Sequence, residues 1–129
     1  MKELNLETLP KPIGAYSNGL VIPIGDKELI LLSGMQAIGD DGKALYPNDP
    51  AKQTEFIFNR IDKLLNEAGA SLENAVKVVI YLTNMSDFSV VSPIRNQFLG
   101  KSRPVSTLVE VSKLTIPGCV IEIDVTAIK

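Results

Sequence analysis

Cys119-Val120-Ile121-Glu122-Ile123-Asp124-Val125-Thr126-Ala127-Ile128 sets two carboxylates into a run that is otherwise nearly all apolar. Side chains of an extended chain alternate between faces, so Cys119, Ile121, Ile123, Val125 and Ala127 share one face. Val120, Glu122, Asp124 and Thr126 share the other. The first face asks for a core, and the second carries acid. Two readings are open: a half-solvated antiparallel strand with its charges turned to water, or a strand whose Glu122 serves as a general base, with Asp124 a structural or solvated acid beside it.

The rest of the chain supplies partners for this strand. Pro104 to Val111 reads as the strand before it, across a loop containing Pro117-Gly118. Ala75 to Thr83 is rich in β-branched residues and reads as a strand with Val76, Val78, Ile80 and Leu82 on one face. Leu20 to Ile24 and Glu28 to Ser33 flank Gly25-Asp26-Lys27 and read as a hairpin. Pro23 cannot donate to a ladder, which makes the first of these an edge or interrupted strand. Ile38 to Lys43 is a polar, turn-rich loop.

Asp49-Pro50 opens a helix as N-cap and first helical residue, and Gly69 closes it. Ile57, Ile61, Leu64, Leu65 and Ala68 form its apolar stripe. Lys52, Glu55, Arg60, Asp62, Lys63 and Glu67 are expected mostly to face water. A second helix ends at Gly100, and Pro93 leaves its start open. Either Ser92 caps a helix beginning at Pro93, or a tight turn over residues 86–91 leads into a kinked one.

The order ββαβαββ predicts a single domain over residues 1–129, an α+β layer with both helices on one face of one mixed sheet. The other face, with Tyr81, Leu108 and Val120 among Ser106, Glu110 and Glu122, is expected to be covered by another subunit of a homo-oligomer.

Composition removes several function classes. The 129 residues contain no histidine, so Ser-His and Cys-His catalysis and histidine-based zinc sites are excluded. There is no GxGxxG or GxxxxGK[ST] loop, and no cofactor is expected. With net charge −2 and 13 basic residues spread thinly, nucleic acid is not an expected partner. The first residues carry no apolar signal core and no stretch could span a membrane, so a cytoplasmic protein without membrane partners is expected. Cys119, the single cysteine, reads as a packed thiol. No metal site is expected.

Five short segments, in order and at matching separations, carry a family resemblance. They are Pro12-Ile13-Gly14-Ala15-Tyr16-Ser17-Asn18-Gly19, Leu32-Ser33-Gly34, Asp87-Phe88, Val109-Glu110-Val111 and Ile121-Glu122-Ile123, together with the helix and strand spacing between them. The chain resembles the RidA/YjgF reactive intermediate deaminases over about 115 residues. The resemblance implies a fold like trimeric chorismate mutase, a homotrimer with clefts between subunits. It also implies cofactor-independent hydrolysis of the imines or enamines released by pyridoxal-phosphate dehydratases, giving a 2-oxo acid and ammonia. A protonated imine is already electrophilic and needs only a positioned water and a base. On the resemblance Glu122 is the catalytic base, Tyr16 closes the cleft, and Ser33 with Gly34 positions water or substrate. Ser92, Ser106 and Leu108 line the substrate side.

Two positions depart from the family pattern. Ser106 stands where the deaminases carry an arginine that grips the substrate carboxylate, a contact of roughly 1.5–3 kcal/mol. Ser92 stands where they commonly carry asparagine. The pocket is therefore expected to be roomier and less cationic, and ordinary 2-imino acids to be poor substrates. Arg103 lies an odd number of residues from Ser106 and in a regular strand points to the opposite face. Only a bulge or a kink at Pro104 would bring it round. The alternative function is a non-catalytic, metabolite-binding or regulatory module using the same cleft. Ribonuclease or translation inhibition, older descriptions of the family, has little support in the residues.

Overall fold

The computed structural model describes residues 1–129. Six strands, β1 (Lys2–Leu4), β2 (Gly19–Ile24), β3 (Lys27–Leu32), β4 (Ala75–Leu82), β5 (Val105–Glu110) and β6 (Ile121–Ile128), form one sheet in the order β1-β2-β3-β6-β4-β5. All neighbours are antiparallel except β4 and β5, so the sheet is mixed. The three-residue β1 was not expected from the sequence. β2 and β3 join through Gly25-Asp26 alone, because Ile24 already pairs with Lys27. Gly25 supplies the positive φ of 62° at the first turn position.

Helices α1 (Pro50–Asn66) and α2 (Phe88–Leu99) cover one face of the sheet. The core forms between Ile57, Phe58, Ile61, Leu64 and Leu65 of α1 and the inward residues of β6 and β4. Phe58 stacks on Phe98 of α2 at 5.1 Å between ring centroids. The Asp49 carboxylate accepts from Lys52 N–H at 3.0 Å, and Gly69 ends the helix at φ 70°. Arg60 departs from its expected solvent position. Its guanidinium is buried, donates to Ile38 O and Thr8 O, and lies over the Phe56 ring.

α2 matches neither open reading in full. A tight 3-10 turn spans only Met85–Asp87, the helix runs from Phe88, and Pro93 sits inside it. Ser92 is thus a mid-helix residue and no cap. The helix ends at Leu99 with Gly100 as its C-cap, as expected, though Gly100 keeps right-handed geometry at φ −61°.

Two details alter the expected faces. A bulge between Ala75 and Lys77 turns Val76 outward, 40% exposed, and puts Ala75 into the core at 4%. The parallel register pairs Ser106 with Val78 and Leu108 with Ile80. Ser106, Leu108 and Glu110 therefore lie on the helix side, not beside Glu122 as expected. Glu122 pairs with Tyr81, and Tyr81 with Val109, so the open face carries Glu122, Tyr81 and Val109. No helix is long and apolar enough to cross a membrane.

Candidate active site

Glu122 projects from β6 onto the open face, half-buried. Its Oε1 accepts from Gln36 Nε2 at 2.9 Å, and the same nitrogen donates to Thr115 Oγ1 at 2.9 Å. Burial pushes the Glu122 carboxyl above the usual glutamate range. The Gln36 hydrogen bond pulls it down, and the neighbouring Asp124 charge adds to the rise. The Asp124 carboxyl is also raised by burial, with Lys77 opposing.

Gly34 lies beneath this carboxylate, and any side chain there would have to push the carboxylate aside. A Cβ there would lie 2.5 Å from Glu122 Oε2, closer than any side chain tolerates. The backbone path that delivers Gly34 is set by its neighbours: Met35 pairs with Ile123 through both backbone hydrogen bonds, and Ser33 N–H donates to Asn18 O at 2.8 Å. The Ser33 hydroxyl donates to Ser17 O, so its hydrogen is committed to holding the loop that carries Tyr16. Tyr16 itself is 54% exposed, on the rim of that loop. Glu122 and Gly34 are in direct contact, and Ser33 ties the Tyr16 loop to them.

Gln36 was not anticipated, nor was Gln53. The fully buried Gln53 amide donates to Leu45 O, Tyr46 O and Gly118 O and accepts from Val120 N–H at 2.9 Å. It clamps the loop that enters β6 two residues before Glu122. A polar residue on the apolar stripe of α1, four before Ile57, was the available signal. Cys119 is buried, with its thiol 3.6 Å from Ala37 O and pushed up by burial.

The other expected site residues stand apart from Glu122, on the helix side. Ser106 lines a concavity of about 450 Å³ with Val78, Arg95, Leu99 and Arg103. Ser92 Oγ accepts from Arg95 Nη2 at 2.9 Å, and Leu108 packs partly buried against the core. Arg103 shares this concavity despite the strand-parity argument, because it precedes the strand and adopts φ 48°. Its N–H donates to Leu99 O at 2.9 Å, the left-handed closure that usually ends a helix with glycine. A residue before proline is ordinarily extended, and a left-handed non-glycine costs on the order of 1–3 kcal/mol. Arg95 and Arg103 thus both line this concavity.

No three or more Asp, Glu or Cys side chains converge to hold a metal ion. What remains is a carboxylate held by an amide on one face of the sheet and a cationic concavity on the other. This is an α+β single-sheet protein with a carboxylate-centred site, and known sequences and structures place it further. The sequence model of the family described as Endoribonuclease L-PSP matches residues 6–129, and the chain belongs to that family, the YjgF/RidA group. A RutC family protein of Pyrococcus abyssi is 36% identical over 108 residues, 84% of this chain and 82% of its own. A second, from Pyrococcus horikoshii, is 34% identical over 100% of this chain and 99% of its own. The crystal structure of YyfA from Yersinia pestis, of the conserved Rid family, superposes with a TM-score of 0.83 at 32% identity, covering 98% of this chain and 97% of its own. That agreement bears out the resemblance and the expected fold.

Proposed function

We propose that the protein hydrolyses reactive imines or enamines, without a cofactor, in a cleft formed between copies of the chain, with Glu122 as general base. The observation carrying this reading is the half-buried Glu122 carboxylate, anchored at Oε1 by Gln36 and seated at Oε2 over Gly34. Partial burial gives the carboxylate a basicity above that of a free glutamate, as proton abstraction near neutral pH requires. An enamine first takes a proton at carbon to become the iminium. Water then adds to the neighbouring carbon, the one double-bonded to nitrogen, as Glu122 takes its proton; the C–N bond breaks as the proton passes to nitrogen. The products are a carbonyl compound and ammonium.

An assembly of copies is part of the proposal for a topological reason. Glu122 and Ser106 lie on opposite faces of one sheet, so no single chain can present both to one ligand. The open face, with Leu31, Val105 and Val109 each more than a third exposed, supplies apolar area for a homotrimer contact. RNA cleavage, the activity in the family description, finds less support in a chain with no histidine and a net charge of −2.

Purified protein is to be assayed on neutral and acidic imines generated in situ, with release of ammonium as the readout. The parent accelerates hydrolysis, and Glu122→Gln loses roughly 10²- to 10⁴-fold in kcat/KM. Equal rates for parent and Glu122→Gln would overturn the reading. Binding of a substrate analogue with no turnover in the parent would replace it by the metabolite-binding alternative.

A further inference from the structure

We propose that a hollow on the outer side of α1 binds a phosphate monoester with an apolar body, through Arg60 and Lys63. Thr8, Phe56, Asn59, Arg60 and Lys63 line it, none of them shared with the concavity of Arg95 and Arg103. It lies on the helix side of the sheet, away from Glu122, and hydrolysis there is independent of it. What points to an anion is a buried charge without a counter-ion. Arg60 is only 8% exposed, and its guanidinium donates to neutral carbonyls, from Nη1 to Ile38 O at 2.8 Å and from Nη2 to Thr8 O at 3.0 Å. No carboxylate oxygen lies within 4.0 Å of it, since the two ion pairs of the chain join other residues. Asp40 acts on it only from farther off. A buried arginine is ordinarily paired, because the cost of taking its charge out of water is offset only by an opposite charge.

Tethering loops to α1 does not by itself call for a cation. Gln53, one helix residue set earlier, holds three carbonyls with a neutral amide. What arginine adds is charge and further donors: its two bonds leave three of the five guanidinium N–H groups without an acceptor in the chain. The lining fits the same ligand. Lys63 brings a second cation, Asn59 and Thr8 bring an amide and a hydroxyl able to donate, and no acid lines the space. A phosphate monoester carries close to two negative charges and three terminal oxygens, which match two cations and the neutral donors beside them. A carboxylate, with one charge, would leave one cation over. About 480 Å³ is well beyond a single ion, and the Phe56 ring, with the guanidinium 4.4 Å from its centroid, gives apolar wall for the rest of the ligand.

The test is titration of the full chain with phenyl phosphate, benzoate, phenol and inorganic phosphate, followed by NMR of the backbone amides. Phenyl phosphate is expected to give saturable shifts at Thr8, Phe56, Asn59, Arg60 and Lys63 that phenol does not give. Inorganic phosphate is expected to need roughly tenfold higher concentration, for want of the apolar contact. Lys63→Glu, at an exposed position, should leave the melting temperature unchanged and weaken phenyl phosphate roughly ten- to a hundredfold. Arg60→Gln, which keeps a donor toward the carbonyls and removes the charge, should abolish saturation, and Lys63→Glu decides the matter whether or not that variant folds. Unchanged affinity in Lys63→Glu overturns the proposal, as do shifts confined to Arg95, Arg103 and Ser106. Phenol or benzoate binding as tightly as phenyl phosphate overturns it too, and inorganic phosphate binding as tightly overturns the organic ligand.

Discussion

The two helices lie on the same face of the same sheet and follow opposite rules. α1 has a side-chain cap at Asp49, proline at its first position, a continuous buried stripe and a left-handed glycine at its end. α2 has no side-chain cap bond at Asp87, a proline in its interior, only Val91 and Leu99 buried, and an arginine in the left-handed position. The difference is that the departures of α2 surround Arg95 and Arg103, which line the cationic concavity, and Ser92, which accepts from Arg95. Local rules broken together in one place mark a region kept for something other than stability.

The comparison breaks most readily at Gln53. If α1 is scaffold, truncating its one fully buried amide should be costly, since Gln53→Ala strands the Val120 N–H and removes the donor shared by three carbonyls. The expected loss is about 3 kcal/mol or more, a fall in melting temperature of roughly 10 °C. Arg95→Met on α2 should stay within about 0.5 kcal/mol of the parent. Equal losses in thermal unfolding would erase the distinction between the helices.

A smaller effect is expected at Gln36, which serves the carboxylate without belonging to either helix. Its Oε1 is buried with no partner, so Gln36→Leu also removes an unsatisfied atom. Glu122 loses the hydrogen bond that favours its ionised form, and its carboxyl, already raised by burial, rises further. Because the proposed base would work as carboxylate, the acid limb of kcat/KM against pH should move to higher pH. Stability follows the same sign. A carboxyl raised in the folded state contributes fully below its unfolded value and loses that contribution as pH rises through the folded one. The deficit of the variant relative to the parent should therefore grow from pH 4 to pH 7, as denaturant titrations at the two pH values would show.

How far the sequence carried the reading follows from the same contrast. β6, the β2–β3 hairpin and α1 are legible because each has one buried face and a clear period of two or 3.6. The face of β5 was not legible. Val105 and Val109 look like the core set of an alternating strand, yet the parallel register with β4 turns them outward at the sheet edge and places Ser106, itself exposed, on the helix side. Glu122 stood out as acid in an apolar strand, and Gly34 and Ser33 came from the family resemblance. The hydrogen bonds of Gln36 and Gln53 join residues 86 and up to 67 positions apart, which no local pattern encodes. Arg103 was hidden because parity arguments assume a strand, and it lies in the turn before one.

The smallest expected effect sets the two helix ends directly against each other. Gly69 and Arg103 both take left-handed φ, 70° and 48°, after their helices. Gly69→Ala puts a Cβ where the backbone disfavours it, at a cost of about 1–2 kcal/mol, since the Lys129 amine 2.8 Å from that Cβ can swing away and leaves only the backbone term. Arg103→Gly relieves the same kind of strain, while the added freedom of glycine in the unfolded chain returns roughly 0.5–1 kcal/mol of it. The net change should be zero to slightly stabilising, opposite in sign to Gly69→Ala. Paired thermal melts of the two variants decide it. A clear destabilisation by Arg103→Gly would mean that the arginine is held by contacts that stabilise the fold, and α2 would then end as α1 does, for stability alone.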